Sequence, residues 1–371
     1  MSGSAKIRVA VLRGGPSNEY EVSLKTGSNL LKHLQSPRMN ERYLASDVLI
    51  TRDGIWHLNG FELAPDKIIR QVDVVLNALH GQFGEDGKVQ QMLESLGARY
   101  TGSGVVASAM AMNKQLTKEV AKRNGVTKSD HEVKNKSKVA MSLKHMKSVK
   151  TALHLVIKAG EDTPEKITQI FRTFPHPSVI KPISSGSSVG VSIAYTASDL
   201  REAVASALLH SDAVLIEEYI AGKEVTCGVI ENFRGQHLYA LPVIEIVPAK
   251  KAVHDDGKKG VGTNASSSKD AFFDYHAKYS GESSEICPGN FTEDERDAIQ
   301  RAACEIHQAL GLRHYSRADF IVSPRRGIYF LETNTLPGMT NESLFPKALA
   351  AVGADVPTFL EHIIGLAMSV K

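Results

Sequence analysis

The residues best able to do chemistry lie in two segments, 316–322 and 327–334, whose alternation and short linker at 323–326 predict an antiparallel hairpin. Side chains alternate along a strand, so Arg317 and Asp319 share one face, and Glu332 and Asn334 share one face. If the two faces coincide, two carboxylates and an amide oxygen converge beside a guanidinium. Hard oxygen donors of this kind suit Mg²⁺, which takes one or two carboxylates together with nucleotide phosphates. A surface ladder of ion pairs would account for the charges. It would not account for the Asn, nor for the turn Pro337-Gly338 that follows at once.

Other groups are less telling alone. Lys181 precedes the loop Ser184-Ser185-Gly186-Ser187-Ser188, which could offer backbone N–H groups and hydroxyls to a phosphate. It is not the GxxxxGK[ST] pattern, and a hairpin turn explains it equally well. The run from Glu217 to Glu224 could present backbone groups to a base edge and a carboxylate to a ribose, though an exposed acidic strand end is the simpler reading. His80 ends an apolar strand before a glycine loop, where a structural and a functional histidine are about equally expected. Glu21, in the first turn of a helix, could equally be there for the helix dipole.

These groups need elements to hold them. Residues 7–12 read as a buried strand, 13–17 as a glycine turn, and a helix starts near Glu19. The same order recurs with a strand at 72–79, a loop at 82–86 and a helix at 87–96, which predicts an α/β unit with a parallel sheet. Functional groups collect beyond the carboxyl ends of such strands, where both glycine loops and His80 fall. A basic helix is expected over 113–125. Strands follow at 178–182, 189–195, 213–220, 224–230 and 238–247, with helices over 198–210 and 293–310. The lysine-rich stretch 127–150 reads as a solvated face or loop, and 248–269 as a polar exposed insertion.

Composition narrows the function. The chain has 371 residues, enough for two or three domains, and a formal net charge of only +3, which argues against nucleic acid or a membrane as partner. Three cysteines without zinc-ligand spacing make a disulfide framework improbable and point to a reducing cytoplasm. No apolar run reaches spanning length. A dinucleotide-binding oxidoreductase would need GxGxxG after the first strand, and this chain has Gly14-Gly15 instead.

Taken in order, the motifs Gly14 to Leu24, Ala78 to Gly87, Tyr100 to Gly104, Met112-Asn113-Lys114, Lys181-Pro182, Gly186 to Gly190, Asp274 to Tyr279, Ser316 to Asp319 and Glu332 to Ser343 resemble the D-alanine–D-alanine ligases of the ATP-grasp superfamily. The likeness spans nearly the whole chain. It implies a three-domain α/β and α+β architecture with an N-terminal parallel unit over 1–112, a central unit over 113–217 and a C-terminal unit over 218–371. It implies ATP and two Mg²⁺ ions, with Mn²⁺ as an alternative, D-alanine as substrate, and a cytoplasmic homodimer.

By that likeness Lys114, Lys181, Ser187 and Ser188 contact phosphates. Glu217 and Ile220 sit at the adenine, Glu224 at the ribose, and Asp319, Glu332 and Asn334 hold the metal ions. Glu21 anchors the ammonium of the first D-alanine with His80 nearby, and Ser343 binds the carboxylate of the second. Arg317 and the Gly338 N–H stabilise the oxyanion, while Lys278 and Tyr279 lie on a closing loop; Glu21, Arg317, Ser187 and Tyr279 are the expected catalytic set. The chain departs from the family at Ser184-Ser185, where many members are acidic, at Glu218, where the family has lysine, and in the long insertion. The rivals are the same fold acting on D-lactate or D-serine, and a silent ATP-binding regulator, which would have lost a ligand.

Overall fold

The computed structural model describes residues 5–128, 148–184, 186, 190–248 and 283–369. Of the predicted site residues, Ser187, Ser188, Lys278 and Tyr279 lie outside the described residues, as do most of the lysine-rich stretch and of the insertion.

The strand Ile7–Gly14 pairs in parallel with Tyr43–Ile50 and Val74–Asn77, as the strand–loop–helix alternation predicts. Its apolar run is continuous because both faces are buried. Val9 and Val11 share a core with Leu30 and Leu34 of the helix Tyr20–Leu34, while Ala10 and Leu12 share another with Val89 and Leu93 of the helix Lys88–Ser95. The structure adds an antiparallel edge, Trp56–Leu58 paired with Tyr43–Ile50 and Phe61–Glu62. Asn59 and Gly60 both have positive φ, the backbone that a tight two-residue hairpin turn requires.

A four-stranded antiparallel sheet runs in the order Ser192–Ala194, Ser178–Pro182, Ala213–Glu218, His154–Lys158. The helices Pro164–Thr173 and Ala197–Leu208 bury Ile167, Ile170, Leu200 and Val204 against its Ile157, Ile180, Val214 and Ile216. Thr196 and Asp199 close a reciprocal capping box that starts the second helix.

The largest sheet is centred on Lys223–Phe233, Tyr315–Ser323 and Gly327–Asn334. Val225, Cys227, Phe320 and Phe330 on one face pack against Ile299, Ala302 and Ile306 of the helix Glu293–Ala309. The strand expected over 238–247 is two strands, Gln236–Ala240 and Ile244–Pro248, both paired with Lys223–Phe233. Pro242 lies between them, where its missing N–H cannot serve a ladder. Val149–Thr151 joins this sheet in parallel beside Gly327–Asn334.

Two helices, Leu344–Ala351 and Val356–Ser369, tie the ends of the chain together. Phe359 and Ile363 belong to the same core as Val9 and Val11, and Phe359 stands edge-on to Tyr315 at 5.2 Å between centroids. Among the described residues no single helix is long and apolar enough to cross a membrane.

Candidate functional site

The two predicted strands pair in a register that sets Asp319 opposite Glu332 and Arg317 opposite Asn334. The neighbouring strand puts Thr226 opposite Asp319 and Glu224 opposite Ile321, so both point to the same face. One feature was not readable from alternation. The register slips between Asp319 and Phe320, leaving Leu331 unpaired. Without this bulge Phe330 would share the face of Glu332; with it, Glu332 and Asn334 face the site while Phe330 and Ile328 enter the core.

Both carboxylates meet protein cations. The Arg317 guanidinium donates twice to Asp319, at 2.9 and 2.8 Å, and Thr226 Oγ1 donates to Asp319 Oδ1 at 2.7 Å. Lys114 Nζ lies 3.1 Å from Glu332 Oε2. Asn113 caps the helix Lys114–Arg123 through its side chain, which fixes where Lys114 begins its approach. The donors Asp319, Glu332 and Asn334 are all oxygen and stand side by side on adjacent strands. That set fits Mg²⁺ and would suit thiophilic metals poorly.

Lys181 Nζ is 2.7 Å from Glu217 Oε2, and Lys118 Nζ is 2.8 Å from Glu217 Oε1. Burial alone would push the Glu217 carboxyl up, but the two lysines draw it down to about 2. Burial opposes the charge on Lys181, yet Glu217 and Glu332 more than offset it and raise its pKa. Glu217 is expected at the adenine; its carboxylate bridges the two lysines and borders the cleft. Ile220 and Glu224 border the same cleft, Ile220 buried and Glu224 half-buried.

Across the cleft the glycine loops bring a different trio together. Ligand atoms of Glu19, His80 and Glu85 lie within 4.8 Å of one another, and all three residues are buried. Gly81 and Gly186 make room for Glu19: a Cβ on either would stand 2.9 or 2.3 Å from Glu19 Oε1. Glu21 stands apart from this trio. Its side chain is 69% exposed at the rim and pairs with Arg52 at 3.1 Å. Residues two apart near a helix start point to different sides: Glu19 is buried with His80 and Glu85, and Glu21 borders the cleft only at its rim.

His80 belongs to this trio and is neutral. Burial brings its pKa down to about 4, and Nε2 is hydrogen-bonded with Thr26 Oγ1 at 2.9 Å. The backbone of Leu336 also meets the ring. Glu85 accepts from the N–H of Gly81 at 2.8 Å and of Leu336 at 3.1 Å; burial first, and then Glu19, raise its pKa to about 8. Leu336 is therefore gripped by the N-terminal unit between Asn334 and Gly338. Asn334 Oδ1 accepts from the same Leu336 N–H at 2.9 Å.

Gly338 and Ser343 come together at the start of the helix Leu344–Ala351, where a Cβ on Gly338 would lie 2.9 Å from Ser343 Oγ. Ser343 Oγ accepts from the Thr340 N–H at 3.0 Å, which shapes the loop around a helix N-terminus, a natural seat for a carboxylate. All the predicted site residues among those described border one cleft of about 1370 Å³. Glu19, Glu85 and Lys118 were missed. Glu19 stands two positions from Glu21 in the same motif, Glu85 follows the glycine loop, and Lys118 is one turn beyond Lys114.

The C-terminal model of the D-ala D-ala ligases matches residues 148–365, and the N-terminal model matches residues 59–103. A D-alanine–D-alanine ligase of Syntrophobacter fumaroxidans is 38% identical over 364 residues, covering 98% of each chain. The fold is shared with the solved D-alanine-D-alanine ligase of Coxiella burnetii, with a TM-score of 0.73 at 24% identity over 98% of this chain and 94% of that one. It is shared equally with the VanG D-Ala:D-Ser ligase of Enterococcus faecalis, with a TM-score of 0.72 at 24% identity over 98% of this chain and 100% of that one. With both family models in place and a relative this similar along its whole length, the chain belongs to the D-alanine–D-alanine ligase family.

Proposed function

We propose that this protein joins two D-alanine molecules at the expense of ATP, through an acyl phosphate, to make D-alanyl-D-alanine for the cell wall. The observation that carries this is the facing of two unlike walls across one cleft. One wall holds Asp319, Glu332, Asn334 and Arg317 with Lys114 and Lys181; the other holds buried Glu19 and Glu85 with neutral His80. The first wall suits a nucleotide triphosphate, and the second suits an ammonium group.

Asp319, Glu332 and Asn334 would hold Mg²⁺, which when bound supplies charge neutralisation at the phosphates. Lys114 and Lys181 would bind phosphate oxygens, with Ile220 beside the base and Glu224 at the ribose. Glu19, rather than Glu21, would bind the ammonium of the first D-alanine and turn its carboxylate toward the γ-phosphate. Phosphoryl transfer converts that poor electrophile into an acyl phosphate. The second D-alanine would be held through its carboxylate at Ser343 and the helix N-terminus, so that its amine reaches the acyl carbon. Arg317 and the Gly338 N–H would bind the oxyanion of the tetrahedral intermediate before phosphate departs. Water would hydrolyse the acyl phosphate, so the cleft has to exclude it while that intermediate lasts.

The three sheets support a three-part division near residues 112 and 217, with the strand Val149–Thr151 reaching across into the large sheet. Free Cys227, Cys287 and Cys304 support a reducing, cytoplasmic setting. A homodimer rests on family likeness, and sedimentation tests it.

Phosphate release from ATP and Mg²⁺, with D-alanine, L-alanine, D-lactate and D-serine offered singly and in pairs, tests the function. Release with D-alanine alone, and D-alanyl-D-alanine as product, is expected. Release only when D-serine or D-lactate is added would overturn the choice of second substrate, and no release with any acid would overturn the ligase reading.

A further inference from the structure

Lys118 is 1% exposed, does not border the cleft, and has a charge that burial disfavours. It lies one helical turn beyond Lys114, and the two ammonium groups have different nearest carboxylates. Lys114 goes to Glu332, while Lys118 goes to Glu217 at 2.8 Å and donates to the Phe330 carbonyl at 3.3 Å. Phe330 adjoins the bulge residue Leu331, which is what turns Glu332 into the site. Glu217 in turn holds Lys181 at 2.7 Å.

We infer that Lys118 is a positioning residue for nucleotide binding, joining the Glu217–Lys181 bridge to the bulge that aims Glu332. A buried lysine has a high desolvation cost, and a bridging carboxylate and a strand carbonyl together compensate it. Its ammonium shares Glu217 with Lys181. Removing it leaves Glu217 to Lys181 alone, so Lys181 is drawn from the phosphates onto the carboxylate. It also frees the Phe330 carbonyl beside the bulge. Lys118 touches neither base nor phosphate; it acts through Glu217, Lys181 and Phe330. The inference rests on reading the cleft as an ATP site.

The test is calorimetric binding of the ATP analogue AMP-PNP with Mg²⁺ to the full chain, with steady-state kinetics and thermal unfolding alongside. Lys118→Met should weaken AMP-PNP by about tenfold or more. It should raise KM for ATP in the same proportion and leave KM for D-alanine within about twofold. Lys118→Arg, which keeps the charge, should recover most of the loss. Adding Glu217→Gln to Lys118→Met should cost no further affinity, because the two act as one unit. Unchanged AMP-PNP affinity in Lys118→Met, or losses that simply add, would overturn the inference. If Lys118→Met does not fold, Glu217→Gln is compared with the double variant: equal affinities are expected, and a further loss overturns it. Wild-type protein that fails to bind AMP-PNP would instead sink the nucleotide reading beneath it.

Discussion

Glu19 and Glu21 lie two residues apart in one motif, and exchanging each for glutamine separates the structure from the motif. Glu19 is buried beside His80 and Glu85, with Gly81 and Gly186 close on either side. A charge-assisted hydrogen bond to a buried carboxylate contributes about 1.5–3 kcal/mol. At about 1.4 kcal/mol per factor of ten, Glu19→Gln should lower kcat/KM for the first D-alanine by roughly 10- to 150-fold. Glu21 pairs only at the rim, 69% exposed, with Arg52. Exposed pairs contribute little, so Glu21→Gln should stay within about twofold of the parent. The assay is coupled phosphate release at saturating ATP with D-alanine varied, and thermal unfolding confirms that both variants fold. The first and second sites for D-alanine are resolved by fitting two Michaelis constants. A large loss in Glu21→Gln with a small one in Glu19→Gln would refute the assignment and the helix-face argument behind it.

Glu332→Gln should reduce turnover by about 10²–10³-fold or more while leaving the unfolding temperature close to the parent's, and should raise the Mg²⁺ concentration for half activity; unchanged kinetics would remove the metal assignment. Phe359→Ala empties a buried site between Tyr315 and Phe345 and should destabilise the protein by about 3–5 kcal/mol in urea unfolding; a loss below about 1 kcal/mol would mean that the two ends of the chain do not share a core. His314 Nδ1 accepts the Gly102 N–H at 3.0 Å, and burial, first, with Arg313 holds its pKa at about 4 against an ordinary 6.5. The unfolded chain therefore takes up the proton first, and stability present above pH 6.5 is lost as the pH falls toward 4, by about 2–3 kcal/mol at pH 4.5. His314→Asn keeps an acceptor and tolerates the positive φ of this position, so its stability should fall less over that range; an equal fall in both proteins would refute the assignment.

Much of the fold was legible because its signals are local. The buried strand Ile7–Gly14, the basic helix Lys114–Arg123, the strand Ser178–Pro182 and the hairpin of Arg317, Asp319, Glu332 and Asn334 follow from period and turn chemistry within a few residues. The short edge hairpin carried its signal too, in Asn59-Gly60, but strands of three and two residues offer no period to detect. The division of 238–247 is likewise carried by a single residue, Pro242, against an otherwise continuous strand pattern.

By itself, then, the sequence determined that oxygen donors and a guanidinium would share a strand-borne site, since side-chain alternation is a property of the local backbone. It could not determine which of two nearby glutamates faces inward, because that depends on where the helix Tyr20–Leu34 begins and on glycines distant in the chain, Gly81 and Gly186. Nor could alternation foresee the bulge at Leu331, which reverses the faces of Phe330 and Ile328 so that the core and the site can both be served. Lys118, an ordinary member of a basic helix, acquires its partners only when Glu217 and Phe330 arrive from two different sheets. Desolvation makes such pairings consequential, and burial is decided by the packing of segments far apart in the chain.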